Sequence, residues 1–286
     1  MCGGRFVIQW DNIQVADPPG TPTRYREIFT CEICGSRFGT LPPGTGTAQY
    51  YRDKAAGEHE VLEQGKARFR RVQGRVERAV GRRSFRILDV GAAGGAHLAG
   101  YKQCVAKFAV EPAISARAIL RKRGIEWLAP SLKELPAGSS FDVVTAIDVL
   151  EHVQDPATML ADIDRVLAPG GVLVIVTGNI GSFSARVAGP RWLYYALPEH
   201  CSFPSWMALR RLLVEGRGYR LMERTWIQNE DVSTRYVARF IAGVTVEVFL
   251  RLAPRVIGRR VAGTRWVLFP FFADSNMLLL LSKPPC

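Results

Sequence analysis

Residues 86–95 read Arg-Ile-Leu-Asp-Val-Gly-Ala-Ala-Gly-Gly, and no other run constrains the fold as strongly. Ile87, Leu88 and Val90 form an apolar run rather than an alternating one, as in a parallel strand buried on both faces. Gly91 and the small residues after it allow a tight turn and a close approach of backbone to a ligand. A helix is expected from about Ala96, with its N-terminal amides toward that ligand.

The same grammar continues downstream. Phe108-Ala109-Val110 reads as a second strand ending at Glu111-Pro112, with a helix over 113–122 and a third strand at Ile125-Glu126-Trp127-Leu128. Phe141–Ile147 is a fourth strand. Asp155 then caps a helix with Pro156 at its first position and Met159, Leu160, Ile163 and Leu167 as its apolar stripe. Pro169-Gly170-Gly171 turns the chain into a β-branched fifth strand over 172–176. Ser205 caps a helix with Trp206, Leu209, Leu212 and Leu213 inward, ending at Gly216 or Gly218. Sixth and seventh strands fall at 219–227 and 276–283. Upstream, 50–80 reads as a charged helix with Val61, Leu62, Phe69, Val72 and Val76 as its stripe.

Asp89-Val90-Gly91-Ala92-Ala93-Gly94-Gly95 resembles the glycine-rich loop of class I S-adenosylmethionine-dependent methyltransferases, whose pattern is acid, apolar, Gly, x, Gly, x, Gly. Ala93 replaces the middle glycine, and a positive φ there would be strained for alanine. A dinucleotide loop of the G-x-G-x-x-G type fits less well, with alanine at 93 and 96. The run from Phe141 to Asn179 is similar to the same family over about forty residues and is the strongest sign of that resemblance. The resemblance implies a doubly wound, Rossmann-like α/β fold over about 49–286: seven mostly parallel strands, the last antiparallel. It implies S-adenosylmethionine as cofactor and a small-molecule acceptor of natural-product, quinone, sugar or lipid type.

It also implies roles for particular residues. Asp89, Gly91, Ala92, Ala93 and Gly95 would shape the loop around the methionine end, and Asp148 would lie near the sulfonium. Glu111, followed by Pro112, stands 22 residues after Asp89 at the end of the second strand. An acid so placed can accept from both ribose hydroxyls of an adenosine, a device that nicotinamide enzymes share. Adenine would meet backbone near Ser131 and Leu132, or Glu134; the choice is open.

Residues 178–204 form a long aromatic loop containing Pro198-Glu199-His200. Loops after strand C-termini are where such sheets place substrates. His200 is the candidate general base, with Glu199 and His152 as weaker options; a structural histidine bonding a loop carbonyl is the competing reading.

In the first 48 residues, Cys31 and Cys34 form a C-x-x-C followed by Gly35, as in a zinc knuckle, and Cys2-Gly3-Gly4 looks like the tail of a second one. The expectation is a partial zinc-ribbon-like segment, from a late start or a decayed ribbon, with zinc held by Cys2, Cys31 and Cys34; plain free thiols are the alternative.

The formal charge of +12 is uneven. Residues 52–86 carry eleven basic and five acidic side chains, and 235–265 carry seven arginines and one acid. The second cluster lies in an apolar insertion at 232–272, which reads as a helical lid or dimer face, or as a surface resting on anionic lipid. No stretch reaches ~18 uncharged apolar residues and no secretory signal is evident, so a cytoplasmic enzyme is expected, with peripheral membrane contact as the second reading. Three rivals stay open: an RNA methyltransferase using the basic segments, a nicotinamide-dependent oxidoreductase, and a non-catalytic S-adenosylmethionine-binding scaffold. The tetrapeptide Asp/Asn-Pro-Pro-Tyr/Phe is missing after the fourth strand, where Asp148-Val149-Leu150-Glu151 stands, which speaks against a DNA adenine enzyme.

Overall fold

The structure is a computed structural model that describes residues 5–14, 25–41, 66–102, 105–227 and 276–285. Its centre is a seven-stranded sheet of β4 (Arg86–Val90), β5 (Ala106–Val110), β6 (Glu126–Ala129), β7 (Phe141–Ile147), β8 (Leu167–Gly178), β10 (Arg220–Ile227) and β11 (Asn276–Ser282). The spatial order is β10-β11-β8-β7-β4-β5-β6. Strands β6, β5, β4, β7 and β8 are parallel, while β11 runs antiparallel to both β8 and β10. The expected sheet, antiparallel strand included, is the observed one.

Alternate residues of each central strand feed opposite core layers. Leu88, Val90, Val144, Ala146, Leu173 and Ile175 meet Leu160 and Ile163 of the helix Pro156–Val166 on one face. Ile87, Val143, Val174 and Val176 meet Val72 and Val76 of α1 (Lys66–Val80) on the other. That two-sided burial is why these strands are written almost without polar residues. β4 pairs with β5 on one side and β7 on the other, so the chain reverses its winding at the end of β4 and opens a crevice there.

Several boundaries differ from the sequence expectation. The Pro169-Gly170-Gly171 turn lies inside β8: Leu167 already pairs with Phe141, and Val172 pairs with Val143 after a register shift. Gly170, at φ +71°, forms a bulge, and its neighbour's carbonyl accepts from Lys283 N–H at 2.9 Å. The helix expected from Ala96 to about residue 104 is a single turn, Ala96–Ala99. The helix capped by Ser205 is α-helical over Trp206–Leu209 and widens to a π-helix over Arg210–Glu215.

The N-terminal part is ordered as strands β1 (Phe6–Gln14), β2 (Tyr25–Cys31) and β3 (Arg37–Gly39). They form a second, antiparallel sheet completed by β9 (Ser202–Phe203), which pairs with β3. Arg26 is buried and donates to Leu197 O at 3.0 Å, and burial lowers its pKa to about 10. Cys31 and Cys34 are both buried on one turn, closed by Gly35 at φ +67° with its N–H to Cys31 O at 2.9 Å. Cys2, the first part of the expected 50–80 helix with Val61 and Leu62, and the 232–272 insertion lie outside the described residues. Among the described residues no helix is long and apolar enough to cross a membrane.

Candidate active site

The crevice at the end of β4 is floored by the glycine-rich bend. Gly91 lies at φ +70° and its N–H donates to Val110 O at 2.8 Å. A Cβ there would come within 2.7 Å of Val149 Cγ2, and one on Gly95, at φ +76°, within 2.4 Å of Ile125 Cδ1. The chain needs glycine at both positions for space as well as for backbone angle. Ala92 is buried. Ala93 adopts φ +47°, the left-handed conformation that the family resemblance implies for its middle residue.

Asp89 is buried and its Oδ1 accepts from Thr145 Oγ1 at 2.6 Å, joining β4 to β7. Burial is the main cause that raises its pKa, to about 7; Thr145 opposes and the Glu111 charge adds to the rise. Its carboxyl therefore serves the floor of the crevice.

Glu111 braces the rim. Its Oε2 accepts from Ala93 N–H at 2.7 Å and its Oε1 from Ala113 N–H at 2.9 Å. One carboxylate thus fixes both the bend and the start of the next segment, next to Pro112. Each oxygen keeps a second lone pair for a further donor. Beside it lies an open pocket of about 450 Å³ between the segments that follow β5 and β6, with Ile114, Arg117, Trp127 and Pro130 among its walls. The Arg117 guanidinium stacks over the Trp127 ring at 3.5 Å. Glu134 lines this pocket, whereas Ser131 Oγ donates to Glu134 Oε1 at 2.9 Å and Leu132 turns into the core.

Opposite, at the end of β7, Asp148 sits at φ +54° with its N–H on Val176 O at 2.9 Å. Its carboxylate pairs with Arg68 of α1, which is buried. Burial would lower the Arg68 pKa, but the Asp148 charge and hydrogen bond outweigh it and the pKa is raised. The short helical turn that follows carries Glu151 and His152. Glu151 is fully buried, accepting from Thr177 Oγ1 at 2.9 Å and from Tyr194 OH. Burial first, then the Asp148 charge, raises its pKa.

His200 arrives from the loop before β9. It is buried, its Nδ1 is 3.1 Å from Tyr194 O, and its ring lies edge-on to His152 with centroids 4.7 Å apart. Burial holds its pKa well below the usual imidazole value. His152 is less buried, with Nδ1 3.3 Å from Glu199 O. Tyr194 anchors this wall: it stacks on Trp192 at 4.9 Å, and a Cβ on Gly178 would come within 2.3 Å of its ring.

Of the residues singled out from sequence, Asp89 and the bend lie at the end of β4, Glu111 at the end of the neighbouring β5 and Asp148 at the end of the neighbouring β7, and His152 and His200 meet on the segments that follow. Arg68 and the buried roles of Glu151, Thr177 and Tyr194 were not foreseen. Arg68 had a readable signal: it precedes Val72 and Val76 at four-residue steps, a charge on the apolar stripe of α1.

Residues 65–224 match a family model described as a methyltransferase domain. A ubiquinone biosynthesis O-methyltransferase from Xanthomonas oryzae is 28% identical over 178 residues, covering 55% of this chain and 74% of that protein. Its counterpart from Haemophilus ducreyi is 33% identical over 114 residues, covering 34% of this chain, and the match spans 48% of that protein's length. Among solved structures, the 1,6-didemethyltoxoflavin-N1-methyltransferase of Burkholderia thailandensis, with its substrate and S-adenosylhomocysteine bound, superposes with a TM-score of 0.55 at 13% identity, covering 95% of this chain and 99% of that one. A putative methyltransferase complex with the Trm112 activator from Haloferax volcanii gives 0.55 at 14% identity, covering 84% and 97%. At these identities the structural likenesses concern the fold.

Proposed function

The chain belongs to the methyltransferase-domain family, and on that premise we propose that it transfers the methyl group of S-adenosylmethionine to an oxygen of a small-molecule acceptor. The observation that carries the reading is the pairing of Glu111 with the bend at the sheet's switch point, beside a pocket of about 450 Å³. The relatives named O-methyltransferases support oxygen as the methylated atom.

S-adenosylmethionine supplies an electrophilic methyl on a sulfonium, so the chain's task is positioning and exclusion of water. Glu111 accepts from the ribose hydroxyls with the lone pairs its two amide partners leave. The Trp127 side of the pocket takes the adenine, with Glu134 within reach of its amino group. Gly91, Ala92, Ala93 and Gly95 let the amino-acid tail lie against the backbone. Asp148, held by Arg68, places negative charge toward the sulfonium end. His152 and His200 form the acceptor wall. His200, neutral and enclosed, orients; His152, the more accessible imidazole, receives the acceptor's proton. Glu199 contributes its carbonyl to His152.

Cys31 and Cys34 fit half of a structural zinc site, since one turn closed by Gly35 presents both thiols. The other two ligands would have to come from outside the described residues, Cys2 among them.

Calorimetry with S-adenosylmethionine and S-adenosylhomocysteine tests the reading. Wild type binds both, and Glu111→Ala weakens binding at least about tenfold, because two charge-assisted hydrogen bonds go. No binding by the wild type overturns it.

A further inference from the structure

We propose that Arg26 is the receptor for a carboxylate carried by the acceptor. That the carboxylate belongs to the acceptor rests on the methyl-transfer reading; the anion site does not. Arg26 lies on β2, upstream of the residues 65–224 that match the family model. It is 2% exposed. Two residues along the strand, on the same face, Ile28 packs into a cluster with Trp192, Tyr195 and Phe203. The Arg26 guanidinium lies 5.9 Å from the centre of the Phe203 ring. Its Nη1 donates to Leu197 O at 3.0 Å, with Tyr195 O at 3.5 Å. Both carbonyls belong to the loop that delivers His200, so this cation stands beside the acceptor wall. After burial and the neighbouring His152, its charge is a further cause that holds the His200 pKa down.

The charge on Arg26 is unbalanced. Among the described residues no carboxylate pairs with it. Cys201 is the acidic group closest in effect, but burial pushes its thiol up to about 11 although Arg26 opposes the rise, so it is neutral at pH 7. Arg26 itself, lowered by burial to about 10, stays charged there. A guanidinium taken out of water without a counter-charge is costly, and an anion that enters removes the cost. Nε and Nη2 have no hydrogen-bond partner, and in the same wall Trp192 Nε1 and Ser202 Oγ have none either. The wall therefore offers donors in excess of acceptors.

The geometry of the unpartnered nitrogens selects the ligand. Nε and Nη2 share one edge of the guanidinium plane, and their parallel N–H bonds match the two oxygens of a carboxylate. Gly39 makes room for that edge, since a Cβ there would fall 1.8 Å from Nη2 and 2.7 Å from Nε. Tethered through Nη1 alone, the head is free to swing off the Gly39 backbone toward an incoming oxyanion. One guanidinium balances the single charge of a carboxylate. A phosphate group brings about −1.5 to −2 at pH 7, and the next cation, Arg37, is engaged by the Tyr195 hydroxyl. The rings of Trp192, Tyr195 and Phe203 suit a flat apolar body joining the carboxylate to the methylated oxygen.

The full chain, without any adenosyl compound, is titrated with benzoate and with benzamide, which has the same shape and no charge, by ligand-observed NMR. Benzoate should bind saturably and benzamide at least about tenfold more weakly. Arg26→Met should weaken benzoate at least about tenfold, and Arg26→Lys several-fold, because an ammonium keeps the charge and loses the fork. Circular dichroism identifies a variant that fails to fold, and the benzoate–benzamide contrast on the wild type needs no variant. No saturable benzoate binding, benzamide binding as tightly as benzoate, or a folded Arg26→Met with unchanged benzoate affinity overturns the site. Inorganic phosphate bound in preference to benzoate overturns the carboxylate assignment. Benzoate binding by a chain that does not bind S-adenosylmethionine keeps the site and sinks the methyl-transfer reading, whereas S-adenosylmethionine binding without benzoate binding does the reverse.

Discussion

Arg68 and Asp148, 80 residues apart, form an ion pair that ties α1 to the carboxyl end of β7, with side-chain exposures of 8% and 33%. Asp148 holds a left-handed backbone at φ +54° while doing so. The same helix also reaches the turn after the bend, where Gln73 Nε2 donates to His97 O at 2.5 Å.

Arg68→Met should therefore destabilise the fold by about 1–3 kcal/mol in urea unfolding, below the full cost of breaking a buried pair because Asp148 is partly solvated. It should also weaken S-adenosylmethionine binding. A change under about 0.5 kcal/mol would remove the pair from the list of contacts that matter.

Ala93 and Gly95 share the bend and a positive φ but should respond oppositely to substitution. Ala93→Gly relieves a left-handed alanine, worth ~1–2 kcal/mol, against the extra flexibility it gives the unfolded chain, so stability should hold or rise by up to about 1 kcal/mol. Gly95→Ala adds a Cβ within 2.4 Å of Ile125 Cδ1 and 2.7 Å of Leu120 Cδ2. It should cost about 1–3 kcal/mol. Thermal melts of the two variants check the contrast, and equal losses would refute it.

Asp89 gives the stability a dependence on pH. Its folded pKa is raised to about 7 from 3.8. Between those values the unfolded chain ionises while the folded one keeps its proton, so this group's contribution falls as pH rises and levels off above about 7. Asp89→Asn lacks the effect and can keep the bond from Thr145. The stability difference, wild type minus variant, should be larger at pH 5 than at pH 8 in urea melts. A pH-independent difference would show that Asp89 does not titrate in this window.

Glu151 separates hydrogen bonding from charge, since it accepts from Thr177 Oγ1 and Tyr194 OH while fully buried. Glutamine can satisfy both hydroxyls, one by accepting and one by donating, so Glu151→Gln should cost no more than about 1 kcal/mol. Glu151→Leu strands the Tyr194 and Thr177 hydroxyls and should cost about 1–3 kcal/mol. Urea melts of the pair provide the check; a glutamine as damaging as leucine would mean the charge itself holds the fold.

The sheet was legible because its evidence is local. Ile87, Leu88 and Val90, or Val143 and Val144, declare two-sided burial within a few residues. The Gly91 and Gly95 positions were legible for the same reason: lack of a side chain is a property of the residue itself. Boundaries were less so. The Pro169-Gly170-Gly171 bulge reads as a turn until Leu167 is seen to pair with Phe141.

By itself, then, the sequence determined which segments of the central sheet are strands, the bend and the acid at the second strand's end, since apolar periodicity and small residues act through neighbours in the chain; the spatial order of those strands came from the structure. Only the tertiary structure decided that Arg68 reaches Asp148, that β3 pairs with β9, and that His200 comes to rest against His152 and Glu151. Those meetings depend on crossovers that bring together segments tens of residues apart, and hydrogen bonds such as Tyr194 to Glu151 exist only once both partners have been carried out of water into the same place.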